Sequence, residues 1–426
     1  MNIQLSKLML IYTALLIPQV AWSKIENAVS LSGEVKQSDN GFKNEENKVR
    51  ERQDQVSVNW SLSYQGSLVD LSTDYDWKYY NFEQDSQAEK NFLTGRTDLF
   101  AYTDTKNAGV SLGHEQVIVL QDANLVELNT NLEERSKIYI TPFVKKQLTN
   151  HDDLILTVDY QDTHYDVRDY KDFNSSSVSV EYQHLFNLIS GAVINVGYTK
   201  NSYQIDDYYD YEIKRASVVF FRNLRMFQYR LTAGANNVDM FSGTESRPLY
   251  GLSLTYRKAD LMLSLAANKF ITDANDTNRL YDENLDEEWQ LDNLGSKSVD
   301  RNSFQLNLSY FFFGERSSVN LSWLNERDNY LDIDNDVESN VGAVTLTHAV
   351  RQNQKLSLRL SKTKRSSSVD FSQRAYAYSR AELLYRYEMT QKLSASFIAS
   401  IQERESDDIR LYKENAVGVR ISYSFR

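Results

Sequence analysis

From residue 24 onward one pattern recurs, in which every second residue is apolar. In "LNLSYFFFGERSSVNLSWL" (306–324), Leu306, Leu308, Tyr310 and Phe312 share one parity, and after a polar turn Val319, Leu321 and Trp323 do. Their neighbours Asn307, Ser309, Asn320 and Ser322 are polar. A side-chain period of two predicts β-strands with one apolar and one polar face. Each run is about as long as a bilayer-crossing strand, roughly 9–11 residues. The same alternation runs through Val56–Tyr64, Val69–Tyr79, Leu154–Tyr160, Ala192–Tyr198, Phe227–Ala233, Leu261–Ala267 and Leu393–Ile401, and ends with Val417, Val419, Ile421, Tyr423 and Phe425. Counting every such run predicts about 20 strands, within a range of roughly 18–22.

The connections between the runs alternate in length. Short ones such as "YQGS", "TDTKN", "LTNHDD", "RNLRM", "YRKAD", "RQNQ" and "EMTQK" take turns with long ones such as "RDNYLDIDNDVES" and the acidic stretch 272–300. Short periplasmic turns and long outer loops are the asymmetry of a transmembrane barrel. A soluble sandwich would need a second covering layer for so many apolar faces, and the chain has no amphipathic helices to supply one. The expected fold is all-β: an antiparallel up-and-down barrel spanning the outer membrane of a Gram-negative bacterium, its edges removed by closure.

Composition sharpens this. The first residues combine Lys7, a short apolar run and Ala21-Trp22-Ser23, the features of a secretory signal peptide; residues 1–23 are expected to be removed and 24–426 to form the barrel. A mean hydropathy of −0.54 alongside 28 tyrosines, 19 phenylalanines and five tryptophans suits surfaces apolar on one side only. The absence of cysteine excludes a disulfide framework and a lipoprotein anchor. A net charge of −12 argues against nucleic acid.

Little in the chain proposes chemistry. None of His114, His151, His164, His184 and His348 has metal-ligand spacing, and His184 and His348 share the lipid-facing parity near strand ends. "DIDNDVE" (332–338) opens with calcium-loop spacing at Asp332, Asp334 and Asp336, but Val337 stands where glycine is required and Ala343 where the bidentate glutamate belongs, so a solvated acidic loop is expected. No nucleophile–base constellation is visible. No catalytic residue, cofactor or metal is therefore expected, and the chain is read as a non-enzyme.

The polar parity is more informative. It assigns Asp70, Asp74 and Asp76 to the lumen, with Arg230, Arg359, Arg380, Glu382, Arg386 and Arg420, and Lys214 as a further candidate. Barrels of 16–18 strands already leave an aqueous channel. Acidic residues on one wall and basic ones on another would set up a transverse field; alternatively the charges pair and solvate the wall, and the two are compatible. The connection 115–135 is unusually apolar, and "VIVL" favours a projecting hairpin over a segment folded into the pore. "YQIDDYYDY" (203–211) offers Tyr203, Tyr208, Tyr209 and Tyr211 for stacking on sugar rings, against ordinary cross-strand aromatic pairing as the plainer expectation.

The segments "GVSLGHEQVIV" and "NLEERSKIYITPFVKKQLTNHDDLILTVDYQDTHYDV" resemble the outer-membrane β-barrel proteins encoded beside exopolysaccharide and PEP-CTERM sorting systems. Asn131, Arg135, Pro142, Phe143, Lys145, Lys146, Tyr160 and Tyr165 hold the matching places, and "SLSGEVKQSDNGF" is similar to that family's first strand. The likeness is patterned over most of residues 24–426 and tight across about 110–167; one departure is that Arg426 follows the final aromatic, Phe425. The resemblance implies a surface-polysaccharide context and no catalytic residues. Two functions follow: a pore or export component associated with exopolysaccharide, or a surface-architecture or adhesion barrel whose long loops hold polysaccharide or a partner protein. The expected partners are outer-membrane lipid and lipopolysaccharide, the barrel assembly machinery, and exopolysaccharide or its export proteins.

Overall fold

A computed structural model describes residues 24–426 apart from 47, 122–127, 205–209, 274–297, 315, 332–335, 368–374, 407–410 and 426. The expected signal peptide, most of the acidic stretch 272–300, Tyr208, Tyr209, Asp332, Asp334 and Arg426 lie outside the described residues.

The alternating runs form strands β1 (Lys24–Ser38), β2 (Glu51–Gln65), β3 (Val69–Phe82), β4 (Lys90–Tyr102), β5 (Ala108–Leu120), β6 (Leu132–Gln147), β7 (Asp152–Tyr165), β8 (Phe173–Asn187), β9 (Ser190–Tyr203) and β10 (Tyr211–Asn223). The second half adds β11 (Phe227–Met240), β12 (Gly243–Lys258), β13 (Leu261–Asp273), β14 (Ser298–Phe312), β15 (Ser317–Tyr330), β16 (Asp336–Arg351), β17 (Gln354–Ser367), β18 (Tyr376–Glu388), β19 (Leu393–Ser406) and β20 (Tyr412–Phe425). Each pairs antiparallel with its neighbour in sequence, and β1 pairs with β20 from Val29↔Phe425 to Ser38↔Ala416. The 20-stranded sheet is thus closed, and no edge strand is left to be satisfied in hydrocarbon.

The register carries one parity around the whole wall. Leu31, Val58 and Trp77 lie side by side across β1–β3, as do Val180, Val196, Ala216 and Ala235 across β8–β11. This face is apolar and exposed: Ile138 is 58% accessible, Val196 56% and Ile421 54%. In water such a band would forfeit about 25 cal/mol for each Å² of apolar area left uncovered, so hydrocarbon is its solvent.

Aromatic residues mark both borders of the band. Near the short turns lie Phe220, Phe227 and Tyr229, the pair Tyr310–Phe312 and the pair Tyr423–Phe425; toward the loops lie Trp77–Tyr79 and Phe304–Trp323. His184 sits in the turn-end border, as its parity predicts, with Nδ1 2.7 Å from Asp152. Outward polar groups deeper in the band satisfy one another: the Tyr75 hydroxyl shares a hydrogen bond of 2.6 Å with His114 Nδ1 and accepts one from Thr97.

Short turns gather at the end that holds both Lys24 and Phe425, and all the longer connections lie at the other, which also carries the two-residue β11–β12 turn. By the rule for transmembrane barrels the turn end is periplasmic.

Closure rests on β20, whose outward residues Tyr423 and Phe425 stand opposite Leu31 and Val29. Replacing both by Asp puts charge at the membrane border, at a cost of at most about 1 kcal/mol each, and removes the terminal aromatic pair. We expect strongly reduced abundance of the double variant in the membrane fraction; wild-type abundance would show that the closing register is different.

Candidate functional site

The inward parity encloses the lumen, and closure decides which charges meet there. Asp74 and Asp76 on β3, Arg380 and Glu382 on β18 and Arg420 on β20 fall on one arc, because β20 lies beside β1. A cavity of about 640 Å³ is lined by Lys36, Glu51, Asp74, Asp76, Lys78, Arg96, Arg380 and Glu414. A smaller one of about 220 Å³ adjoins it and adds Glu34, Glu382 and Arg420. The expectation of acidic and basic residues on separate walls is corrected for this group: both signs share one arc and pair within it. Arg420 Nε lies 2.7 Å from Glu34, Arg380 2.5 Å from Glu382 and Lys78 3.3 Å from Asp76. Asn59 donates to Asp74 at 3.1 Å.

The remaining candidates also share the inward parity. Arg359 is buried and stands in cross-strand register with Glu382. Asp70 sits near the turn end of β3 beside Phe100, Arg230 lies opposite Ser253, and Arg386 is exposed with Glu388 3.8 Å away. Lys214 is a correction. It shares the face of Ala216 and Val218, points outward, and lies 2.6 Å from Asp239.

Two hairpins leave the wall at the loop end and lean over the lumen. Pairing of β4 with β5 stops at Gly95↔Gln116, whereas β5 and β6 stay paired to Leu120↔Leu132. Above that seam, Leu132 and Ile118 pack on Tyr80, Phe82 and Phe92, which lie on the inner face of β3 and β4. The broken ladder is replaced by side chains. Leu93 N–H donates to Glu134 at 2.6 Å, and Lys90 Nζ donates to the carbonyls of Asn129 and Leu132. Gly95 makes the bend possible: its φ is +150°, and a Cβ there would come within 2.2 Å of the Asp74 carbonyl oxygen. The segment 115–135 is therefore a hairpin as expected, but it leans inward rather than projecting, with 122–127 outside the described residues.

The second seam lies between β12 and β13, whose pairing stops at Tyr250↔Lys269 while β13 and β14 continue to Asp273↔Ser298. Ile271 is fully buried against Phe173, Tyr203, Tyr211, Ile213 and Val238, the inner faces of β8–β11. Arg215 donates to the Ile271 carbonyl at 3.2 Å, and a buried Arg301–Asp328 pair at 2.7 and 2.8 Å supports β14 against β15. Tyr203 and Tyr211 are thus buried and cannot offer their faces to a sugar; Tyr203 pairs across strands with Phe173, ring centroids 5.3 Å apart and tilted by 31°, the plainer of the two expectations. The signal for both seams was present in the sequence: large apolar side chains on the polar parity near the loop ends of β3–β4 and β8–β11.

Among the described residues no group of three or more His, Cys, Asp or Glu is placed to hold a metal ion.

No family model matches the chain, and no curated protein matches it in sequence. Solved outer-membrane proteins share its fold. The siderophore receptor PirA from Acinetobacter baumannii aligns with a TM-score of 0.50 at 8% identity, over 94% of this chain and 80% of that one. OccK2 from Pseudomonas aeruginosa, solved in complex with glucuronate, aligns with a TM-score of 0.41 at 11% identity over 95% and 99%. An anion-selective porin from Comamonas acidovorans gives 0.40 at 10% identity over 95% and 100%.

Because the chain has no native cysteine, the inward hairpin is open to a direct test. The double variant Phe92→Cys, Leu132→Cys should be joined by a short bifunctional maleimide in membranes, since both side chains belong to one buried cluster. Pairing Leu132→Cys with Phe100→Cys, at the turn end of β4, should give no product. Equal yields from both pairs would place the hairpin elsewhere.

Proposed function

We propose that this protein is an outer-membrane pore that passes hydrophilic material, associated with surface exopolysaccharide and its export. The carrying observation is a closed wall of 20 strands whose inward parity is polar and charged and borders cavities among ion-paired side chains. Side chains alone do not fill a barrel of this strand number. Paired charges keep the wall solvated while biasing the ions that enter. The outward band would meet outer-membrane lipid and lipopolysaccharide, and β20 is the segment for the assembly machinery to recognise. The polysaccharide context is supported by the sequence resemblance across about 110–167, which includes Arg135 and Tyr165 beside the inward hairpin. The adhesion alternative is less well supported, because Tyr203 and Tyr211 are buried.

Purified protein in planar bilayers should conduct in discrete steps. Deleting residues 120–130 should raise the conductance, since that hairpin leans over the lumen, whereas an outward hairpin would leave it unchanged. Arg380→Glu with Arg386→Glu should shift the reversal potential toward cation selectivity. Silence from both the intact and the deleted protein would remove the pore and leave surface binding as the better account.

A further inference from the structure

The periplasmic mouth of the lumen carries a charge distribution opposite to that of the chain as a whole. Arg230, Arg257, Lys355 and Arg386 lie on the inward parity and near the turn ends of β11, β12, β17 and β18, whereas a register shift at the end of β16 sets Arg351 opposite the outward-parity Gln354. All are exposed. Arg386 approaches Glu388 at 3.8 Å, and among the described residues the Arg230, Arg257 and Lys355 side chains have no ion pair or hydrogen bond. The charges along the loop-end arc are instead paired at 2.5–3.3 Å. The acidic residues at this mouth lie mainly on the opposite arc: Asp70 on β3, Asp153 on β7, already 2.9 Å from Lys145, and Glu181 on β8, which borders one recess with Arg230. A chain of net charge −12 thus presents an unneutralised basic arc at its periplasmic entrance.

We propose that this arc is the receiving site for a polyanionic saccharide, whose carboxylates it gathers at the periplasmic mouth. The proposal deepens the pore assignment and rests on it for passage, though not for binding.

Three features select the ligand class. Wall charges at a low-dielectric mouth focus the field and concentrate counter-ions of opposite sign. The arc spans β11–β18, and with strands roughly 4.8 Å apart it extends about 35 Å along the wall, which suits a chain of repeated anions better than one small anion. Between the cations the same face presents Ser309, Asn320 and Ser357, which can donate to and accept from sugar hydroxyls. The inward register turns the arc away from lipid headgroups.

The test uses the full chain in detergent, with a defined oligogalacturonate as probe and a maltooligosaccharide of equal length as neutral control. Calorimetry should show binding of the oligogalacturonate alone, weakening as salt is raised. Arg230→Gln, Arg257→Gln, Lys355→Gln and Arg386→Gln together should weaken it by about tenfold or more. A control with Arg225→Gln, Arg316→Gln and Lys392→Gln, in the turns themselves, should keep most of the affinity. Heat-modifiable migration verifies that each variant is folded. Equal binding of the neutral sugar, equal loss in both variants, or binding to phosphatidylglycerol vesicles without binding to the oligogalacturonate would overturn the proposal. Conductance measured in parallel separates the two claims. Steps without oligogalacturonate binding leave the pore and refute the receiving site; binding lost in the fourfold variant without any conductance supports the site and refutes passage.

Discussion

The structure depends on the requirement that every backbone N–H and C=O in hydrocarbon find its partner within the protein. Between β1 and β20 that requirement is met by ten consecutive register pairs, from Val29↔Phe425 to Ser38↔Ala416. Once this seam is closed, the period of two leaves each side chain one of two solvents. Leu31, Val35, Val417 and Val419 go outward, while Glu34, Lys36 and Arg420 go inward. Lumen polarity is therefore a consequence of the same ladder that satisfies the backbone. The closing pair also brings the ends of the chain together, so that Arg420 on the last strand neutralises Glu34 on the first.

Toward the loops the requirement relaxes, and there the ladder opens. Water or side chains can satisfy backbone groups, and the structure uses side chains: Glu134 takes the N–H of Leu93, and Lys90 takes two carbonyls. What the β5–β6 hairpin loses in strand pairing it regains by burying Leu132 and Ile118 on inward-facing aromatics. Ile271 does the same for β13–β14. Gly95 is the local condition for the first bend, since any side chain there would strike the neighbouring strand. The lumen is in this way narrowed by pieces of its own wall.

How much of this was legible follows from where the hydrocarbon acts. Within the membrane, alternation such as Val56, Val58, Trp60 fixes both strand and face, and the short turns fix strand order. Outside it, polarity no longer reports the face. Lys214 points outward near a loop end, where water replaces lipid, and so misled the assignment. Tyr80, Phe82 and Phe92 are apolar yet inward, because a hairpin covers them. Tyr203 and Tyr211 lie in an acidic, tyrosine-rich stretch that reads as a loop, but burial of Ile271 draws them inside. The Arg420–Glu34 pair, and the meeting of Asp76, Arg380 and Arg420 on one arc, needed closure, a contact between residues 378 to 396 apart that alternation alone does not reveal.

The central claim is that consecutive residues of one strand face different solvents, and β18 tests it most directly. Single cysteines placed in the otherwise cysteine-free chain at Arg380, Ala381, Glu382 and Leu383 can be exposed in intact outer membranes to a small, charged maleimide. The register predicts labelling at 380 and 382 and protection by lipid at 381 and 383. Uniform labelling, or the opposite alternation, would contradict a membrane barrel with its charged parity turned toward a water-filled lumen.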